Sequence, residues 1–407
     1  MAHSLGETLP LWSVSPFAGL LLAIALAPLF APDWWGRHYG KVSIGLGIPV
    51  ALYFLLAAPA QLLNTAHEYV AFIILLGTLF TITGGILVRG AFPPTPLVNS
   101  LFLGCGALIA NLIGTTGASM LLIRPLLRAN ARRQNPTHVV VFFIFLVSNI
   151  GGTLTPLGDP PLFLGFLEGV PFFWTLRLWP EWLFTAIVVL GAFFVLDLRR
   201  WREETKHPKE ELNFAVAGGL NFVLLAGVVV AAFLPTPGRE IAMAAMGLLS
   251  YRLTAPEIHS ENGFTFHPIT EVATLFAGIF MTMMPALMIL EARGGHLGLH
   301  LPWHYFWVTG ALSSFLDNAP TYITFLYGVR GLGLPPEVGG VPAHYLAAVS
   351  LGAVFMGANS YIGNGPNFMV KSIAERAGIT MPSFFGYMVY SGLVLIPTFF
   401  LVTLVFF

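Results

Sequence analysis

The chain is poor in charge and nearly devoid of cysteine. Of its 407 residues only 9% are Asp, Glu, Lys or Arg, 19 of them basic and 19 acidic, for a formal net charge of zero. A soluble protein is about 25% charged and would carry roughly a hundred such residues at this length. So few charges cannot cover a soluble surface, which excludes a cytosolic enzyme. The even balance excludes a nucleic-acid binder, which needs a clustered basic excess. The single Cys105 excludes a disulfide framework and any Cys-based metal site. No P-loop is present, Gly84-Gly85 lying in an apolar run, so nothing supports a nucleotide site or ATP as a partner.

What is abundant is apolar. Hydrophobic residues make up 56%, and the mean hydropathy is +0.79. The 43 glycines and 30 prolines are tolerated in transmembrane helices. An all-α polytopic membrane protein follows, with the lipid bilayer as its first partner. Runs of about 20 apolar residues lie near 11–30, 42–60, 68–88, 138–167, 180–197, 213–234, 238–253, 269–292, 344–376 and 383–407. Two further stretches, 97–123 and 303–328, are broken by polar and small residues and read as re-entrant hairpins. The first segment has no basic n-region, so it reads as a retained helix and not as a signal peptide.

Charge placement sets the topology. With both termini external and each hairpin returning to its own side, 15 basic residues face the cytoplasm. Only Arg177, Arg239, Arg293 and Arg330 face outward, as the positive-inside rule requires. Eight of the nine Trp residues, among them Trp12, Trp34, Trp179 and Trp303, fall near span ends, where aromatic belts sit. A cell (inner) membrane location is expected.

The charged stretch 198–212 lies at the midpoint. Five crossings precede it and five follow, so homologous halves would be inverted. An offset of 205 lays Gly158-Asp159-Pro160-Pro161 on Gly363-Asn364-Gly365-Pro366, Thr155 on Ser360, Thr116 on Thr321 and Ser119 on Thr324. The expected domains are therefore a first inverted repeat over 1–197, a cytoplasmic linker over 198–212 and a second repeat over 213–407. Each repeat holds five transmembrane helices, one hairpin and one helix broken at the midplane. Paired broken helices of this kind mark secondary transporters.

The four polar breaks are Asn111 to Ser119, Ser148 to Pro161, Leu316 to Thr324 and Gly357 to Asn367. Unpaired backbone survives at membrane depth only inside protein or beside water. Gly-Gly and Pro-Pro within these runs open the helix, release carbonyl oxygens and leave half-helix dipoles that suit ions. Ser119, Thr153 and Thr324 serve equally well as local caps. Asp159 and Asp317 differ, because an intramembrane carboxylate costs at least ~2.5 kcal/mol and is a functional candidate by default. Lys371 could turn inward to pair with one of them or snorkel to the interface. The histidines, such as His38, His67 and His138, scatter near span ends without metal-ligand spacing. Glu271 starts a span and reads as water-facing, with a proton-relay role left open.

The motifs SNIGGTLTPLGDPP and LDNAPT resemble the ion transporter superfamily. The similarity is nearest to its arsenite-permease, citrate-transporter-like and NhaD-type sodium/proton antiporter group. That resemblance implies hairpin tips meeting unwound helices at the site, and a homodimer in which a transport domain slides as an elevator. It also implies a site built from Asn111, Thr115, Thr116, Ser148, Asn149, Thr155 and Asp159 with Asp317, Asn318, Thr321, Asn359, Ser360, Asn364 and Asn367. Related dicarboxylate carriers show Ser-Asn-Thr at both tips, whereas this chain has GTTG and DNAPT. An acidic Asp317 at a tip would repel a dianion unless cations screened it.

The expected function is secondary transport without enzymatic activity and without a cofactor, with Na⁺ and H⁺ as coupling ions. Cation/proton exchange is the first reading, with Asp159 and Asp317 carrying the proton and Na⁺ binding among the same residues. The alternative is a Na⁺- or H⁺-coupled carrier of arsenite, citrate or a dicarboxylate.

Overall fold

A computed structural model describes residues 2–204 and 213–407. The middle of the expected linker therefore lies outside the described residues. Helices dominate, and among the described residues seven are long and apolar enough to cross a bilayer: Leu11–Phe30, Pro32–Ala57, Pro59–Gly84, Pro96–Ile113, Trp174–Glu203, His267–Leu297 and Phe384–Phe406. Large apolar side chains stand exposed on their outer faces, Leu56, Leu101, Ile187, Leu393 and Leu404 among them. A contiguous apolar exterior has no aqueous explanation, and lipid accounts for it. The chain is a helical, multi-pass membrane protein.

In chain order the helices are α1 (Ala2–Thr8), α2 (Ser15–Phe30), α3 (Pro32–Ala57), α4 (Pro59–Gly84), α5 (Pro96–Ile113), α6 (Thr115–Asn130), α7 (Thr137–Leu146), α8 (Pro160–Leu167) and α9 (Trp179–Glu203). Beyond the midpoint come α10 (Leu220–Ala231), α11 (Gly238–Leu253), α12 (Pro256–Glu261), α13 (His267–Arg293), α14 (Pro302–Ser313), α15 (Asn318–Arg330), α16 (Ala343–Met356), α17 (Gly365–Arg376) and α18 (Phe384–Phe406). Many start with Pro at one of their first two positions, including α3, α4, α5, α8, α14 and α17. There its missing N–H is one the helix could not use. This explains a boundary the hydropathy runs misplace: α4 begins at Pro59 and takes the polar Gln61 and Asn64 into its first turns, whereas the apolar run begins near 68.

Two short strands interrupt the helical pattern. β1 (Leu87–Ala91) pairs antiparallel with β2 (Asn213–Ala217) in the register Leu87↔Ala217 to Ala91↔Asn213. Both segments read in the sequence as ends of spans. The pairing is reinforced nearby: Asn262 Nδ2 donates to the carbonyls of Gly84 (2.9 Å) and Ile86 (2.8 Å), and Asn221 Nδ2 donates to Gly85 (2.7 Å). Backbone groups left open where α4 ends are thereby satisfied.

The helices sort into two packing groups. In one, α13 packs on α3 and α4, α2 on α3, and α11 on α4 and α10. In the other, α5 lies against α6, α7 and α9, α14 against α16, α15 against α8 and α16, and α17 against α6 and α7. The groups meet chiefly where α4 touches α6 and α13 touches α15. At the centre of the second group, Val139–Leu146 of α7 and Ala348–Met356 of α16 are buried throughout. These two helices run apolar into the breaks.

Contacts between distant segments of the chain also sort the loops to two ends. At one end Arg330 pairs with Glu168 (2.6 Å), Arg293 donates to the carbonyls of Glu7 and Leu9, and His67 meets Thr236 (3.0 Å). At the other, Arg89 pairs with Glu261, Arg128 Nη2 donates to the Val88 carbonyl (2.8 Å) and Thr137 to that of Thr380 (2.9 Å). The hydrogen bond from Arg89 holds the exposed Glu261 below its ordinary carboxylate range. These are the loop sets that charge placement assigns to opposite sides. The second end also holds a fully buried network that sequence reading missed: Arg133 bridges Asp197 and Glu204, and His138 Nε2 lies 2.7 Å from Asp197 Oδ1. Nothing in the spacing of those four residues announces their convergence.

Candidate functional site

Each of the four breaks ends one helix and starts another, and the four new helices start beside one cavity. Gly114 turns the chain between α5 and α6 with φ +80°, a left-handed conformation that glycine adopts without strain. Asp159 precedes α8, Asp317 precedes α15 and Asn364 precedes α17. The cavity, of about 110 Å³, is lined by Gly114–Gly117, Pro156–Pro160, Asp317 and Asn364–Pro366. Its opposite wall comes from the other packing group, Leu75 to Phe80 of α4 and Pro268 to Phe276 of α13. At about 30 Å³ per water molecule, it is of a size for an ion and a few waters.

Asp159 is the hub. It is only 1% exposed and accepts one side-chain hydrogen bond from each of the other three breaks. Thr115 Oγ1 donates to Oδ1 (2.6 Å), Asn364 Nδ2 to the same oxygen (3.1 Å) and Asn318 Nδ2 to Oδ2 (2.6 Å). The Thr115 N–H also donates to the Gly158 carbonyl at 2.8 Å. Asp317 is less enclosed. One of its oxygens caps α15 by accepting from the Ala319 N–H at 3.0 Å, and Thr321 Oγ1 donates to its carbonyl at 2.8 Å. Its other oxygen has no hydrogen-bond partner among the described residues.

The remaining residues form a second ring that holds the breaks in shape. Asn149 Nδ2 donates to Asn367 Oδ1 (2.7 Å), and Asn367 Nδ2 donates to the carbonyls of Gly357 (2.8 Å) and Ser360 (2.9 Å). Ser148 meets Ser119 hydroxyl to hydroxyl at 2.7 Å, and its carbonyl accepts from Asn364. Asn111 Oδ1 accepts from the Leu154 N–H at 2.7 Å, and Thr155 donates to the Asn111 carbonyl. Asn359 Nδ2 donates to Ser314 Oγ at 2.9 Å, and Ser360 donates to the Ser314 carbonyl. Thr116 borders the cavity. Thr153 and Thr324 cap local carbonyls, of Ile150 and Pro320. Ser314 went unnoticed in the sequence, where the pair Ser313-Ser314 lies just ahead of the break.

Backbone contact, not side-chain packing, closes the two broken helices. A Cβ on Gly158 would stand 2.3 Å from the Gly152 carbonyl oxygen, and one on Gly363 would stand 2.5 Å from that of Gly357. Lys371 is not aimed at the site: it pairs with Glu375 at 2.7 Å, one turn along α17.

Among the described residues, two aspartates and no basic side chain line the cavity. Helix N-termini carry roughly +0.5 charge each, so four of them offset about two negative charges. Three buried amide oxygens, Asn149 Oδ1, Asn318 Oδ1 and Asn359 Oδ1, have no hydrogen-bond partner among the described residues. Such an arrangement can hold a hard cation or a proton on carboxylate and amide oxygens, and can place an anion against helix N–H groups.

A family model described as "Putative citrate transport" matches residues 6–407. No curated protein matches the chain. The match spans nearly the whole sequence and agrees with the resemblance to the citrate-transporter-like branch of the ion transporter superfamily. The chain belongs to that citrate-transport family.

Proposed function

We propose that the chain is a secondary active transporter that exchanges a cation, Na⁺ in the first instance, for protons at Asp159 and Asp317. The observation that carries this reading is the convergence of all four breaks on Asp159 inside a small cavity lined by two acids and no base. Asp159, saturated with donors, fastens the four helix starts together. Asp317, with one oxygen free, is the better placed to exchange its ion. Burial disfavours the ionised carboxylate and a bound cation favours it. Proton and cation therefore compete for one group, and exchange follows if the empty ionised site cannot cross. Asn318 Oδ1 and the released carbonyls would complete the cation's oxygen shell. The other residues of the second ring, including Asn111, Ser148, Asn149, Thr155, Asn359, Ser360 and Asn367, would keep that shell in place.

The chain's architecture supports two inverted repeats over 1–197 and 213–407. The extended residues before α8 and α17, Asp159 and Asn364, are 205 apart, and the glycine closures at Gly152/Gly158 and Gly357/Gly363 match at the same offset. The hairpin helices start at an offset of 203, after Gly114 and Asp317, which pairs Thr115 with Asn318 as donors to Asp159. Two packing groups meeting across the cavity suit an elevator motion of the site-bearing group past α4 and α13. The homodimer, the inner-membrane location and external termini belong to the same reading, on the resemblance and the charge bias.

The family match favours a second reading, a cation-coupled carrier of citrate or a similar carboxylate, with the anion resting on the helix N-termini. Proteoliposomes separate the two. A Na⁺ pulse should collapse an imposed pH gradient, and Asp317→Asn should abolish the response. Labelled citrate uptake without Na⁺-driven proton movement would establish the second reading instead. Exchange unchanged in both Asp159→Asn and Asp317→Asn would sink both roles assigned to these carboxylates.

A further inference from the structure

A larger cavity, of about 1040 Å³, opens away from the ion site, between the last turns of α6 and α17 and the segment 377–383. Arg124, Arg128, Arg133 and Arg376 line it, with no acidic residue in its wall among the described residues. From Thr115 to Arg124 is nine residues of helix and from Gly365 to Arg376 eleven. At about 1.5 Å per residue the two cavities lie roughly 14–17 Å apart. They share helices but no lining residue.

The guanidinium of Arg133 is committed to Asp197 and Glu204. Arg128 Nη2 already donates to the Val88 carbonyl and lies within electrostatic reach of Glu261, whereas Arg124 and Arg376 make no ion pair among the described residues. Topology asks only that basic residues lie on this side, not that they share one concavity. Arg128 and Arg376 sit in the last turns of α6 and α17, where a cation complements the helix dipole. Arg124 is mid-helix, where the dipole gives it no such benefit, and it stands one turn from Arg128. Like charges one turn apart on a helix destabilise it. Two helix N-termini also border the same space, each with one N–H already capped: Thr137 of α7 donates to Asn135 Oδ1 (3.3 Å), and Gly386 of α18 to Ser383 Oγ (3.1 Å). Apolar wall comes from Leu127, Ile373, Ile379 and Met381.

We propose that this cavity is an anion site for a phosphate group, carried by a membrane lipid headgroup or free in solution. Guanidinium groups bind phosphate oxygens bidentately, the positive ends of helix dipoles favour anions, and basic pockets between membrane helices take acidic lipid headgroups. A bound phosphate would bridge α6 and α17, the two helices whose opposite ends carry Thr115 and the Asn364 turn. It would therefore brace the ion site from outside it.

The test uses the full chain in detergent, with phosphatidylglycerol and inorganic pyrophosphate as separate probes and phosphatidylcholine as the control lipid. Native mass spectrometry should show saturable retention of one charged probe. Arg124→Gln and Arg376→Gln should each weaken it at least tenfold, while Arg37→Gln on α3 leaves it unchanged. Saturation by phosphatidylglycerol alone assigns the site to lipid, and saturation by pyrophosphate alone assigns it to a soluble phosphate. Should Arg124→Gln fail to fold, Arg376→Gln carries the test, since Arg376 is exposed at a helix end. Retention of neither probe, or equal retention by wild type and the Arg376 variant, overturns the proposal.

Discussion

Replacing Asp159 separates its two contributions, charge and connection, because Asn and Ala remove different things. Asp159→Ala deletes both oxygens. Thr115 Oγ1 and Asn318 Nδ2 are then left without the acceptors they reach at 2.6 Å each, while Asn364 Nδ2 keeps the Ser148 carbonyl at 3.1 Å. An orphaned buried donor costs about 1–3 kcal/mol, so two cost roughly 2–6 kcal/mol, a large share of the 5–15 kcal/mol that holds a typical domain together. Asp159→Asn retains the shape. An amide oxygen at the Oδ1 position still accepts from Thr115 and Asn364, and the new NH₂ faces Asn318. The Asn318 Oδ1 has no partner of its own, so a rotation of that amide turns a clash of donors into a hydrogen bond. The Asn variant should therefore lose no more than about 1 kcal/mol, the scale of one ordinary hydrogen bond. Denaturant titration of the purified protein in detergent, followed by tryptophan fluorescence, ranks the two. Equal destabilisation by Asn and Ala, or a stable Ala variant, would refute the argument that Asp159 fastens the breaks through neutralisable hydrogen bonds. If the ranking stands, loss of exchange in Asp159→Asn reports the missing charge and not a collapsed site.

Two further outcomes follow from the second ring. Gly158→Ala and Gly363→Ala should each destabilise the protein by about 1–3 kcal/mol or more, because the intruding Cβ meets backbone that cannot yield. Gly365→Ala, with nothing within 4 Å, should be tolerated, and thermal melts in detergent compare all three. Asn367→Ala should lower stability by about 1–3 kcal/mol, since it strands the carbonyls of Gly357 and Ser360 and removes the Asn149 contact. The same melts check it, and a neutral result would mean that water replaces the amide.

The sequence made the breaks legible because glycine, proline and aspartate inside apolar runs have no other cheap explanation. Asp159 could be nominated from that alone, whereas Thr115, Asn318 and Asn364 came from the family resemblance, and the four prove to be neighbours. Which atom meets which was not legible: the offset of 205 aligns Thr116 with Thr321, whereas the helix starts pair Thr115 with Asn318. A two-residue shift in where the new helix starts is invisible when both breaks are short and polar. The β1–β2 pair was missed because Leu-Val-Arg-Gly-Ala and Asn-Phe-Ala-Val-Ala look like the frayed ends of spans. The Arg133–Asp197–His138–Glu204 network was missed for a different reason. Its two pairs, Arg133 with His138 and Asp197 with Glu204, are about sixty residues apart, and each member, taken singly, looks like an ordinary charge near the water interface.

The three donors on Asp159 also set a schedule for synthesis. Thr115 precedes the carboxylate, but Asn318 follows by 159 residues and Asn364 by 205. At 5–20 residues per second, Asp159 waits roughly 10–40 s for its last partner. Until Asn318 is made, the first half of the chain carries an acid in the membrane with a single donor, a state sustained only by protonation or by water. The second half thus acts as the delayed folding partner of the first. Chains interrupted before Asn318 should be recognised by the cell as unfinished, however complete their helices.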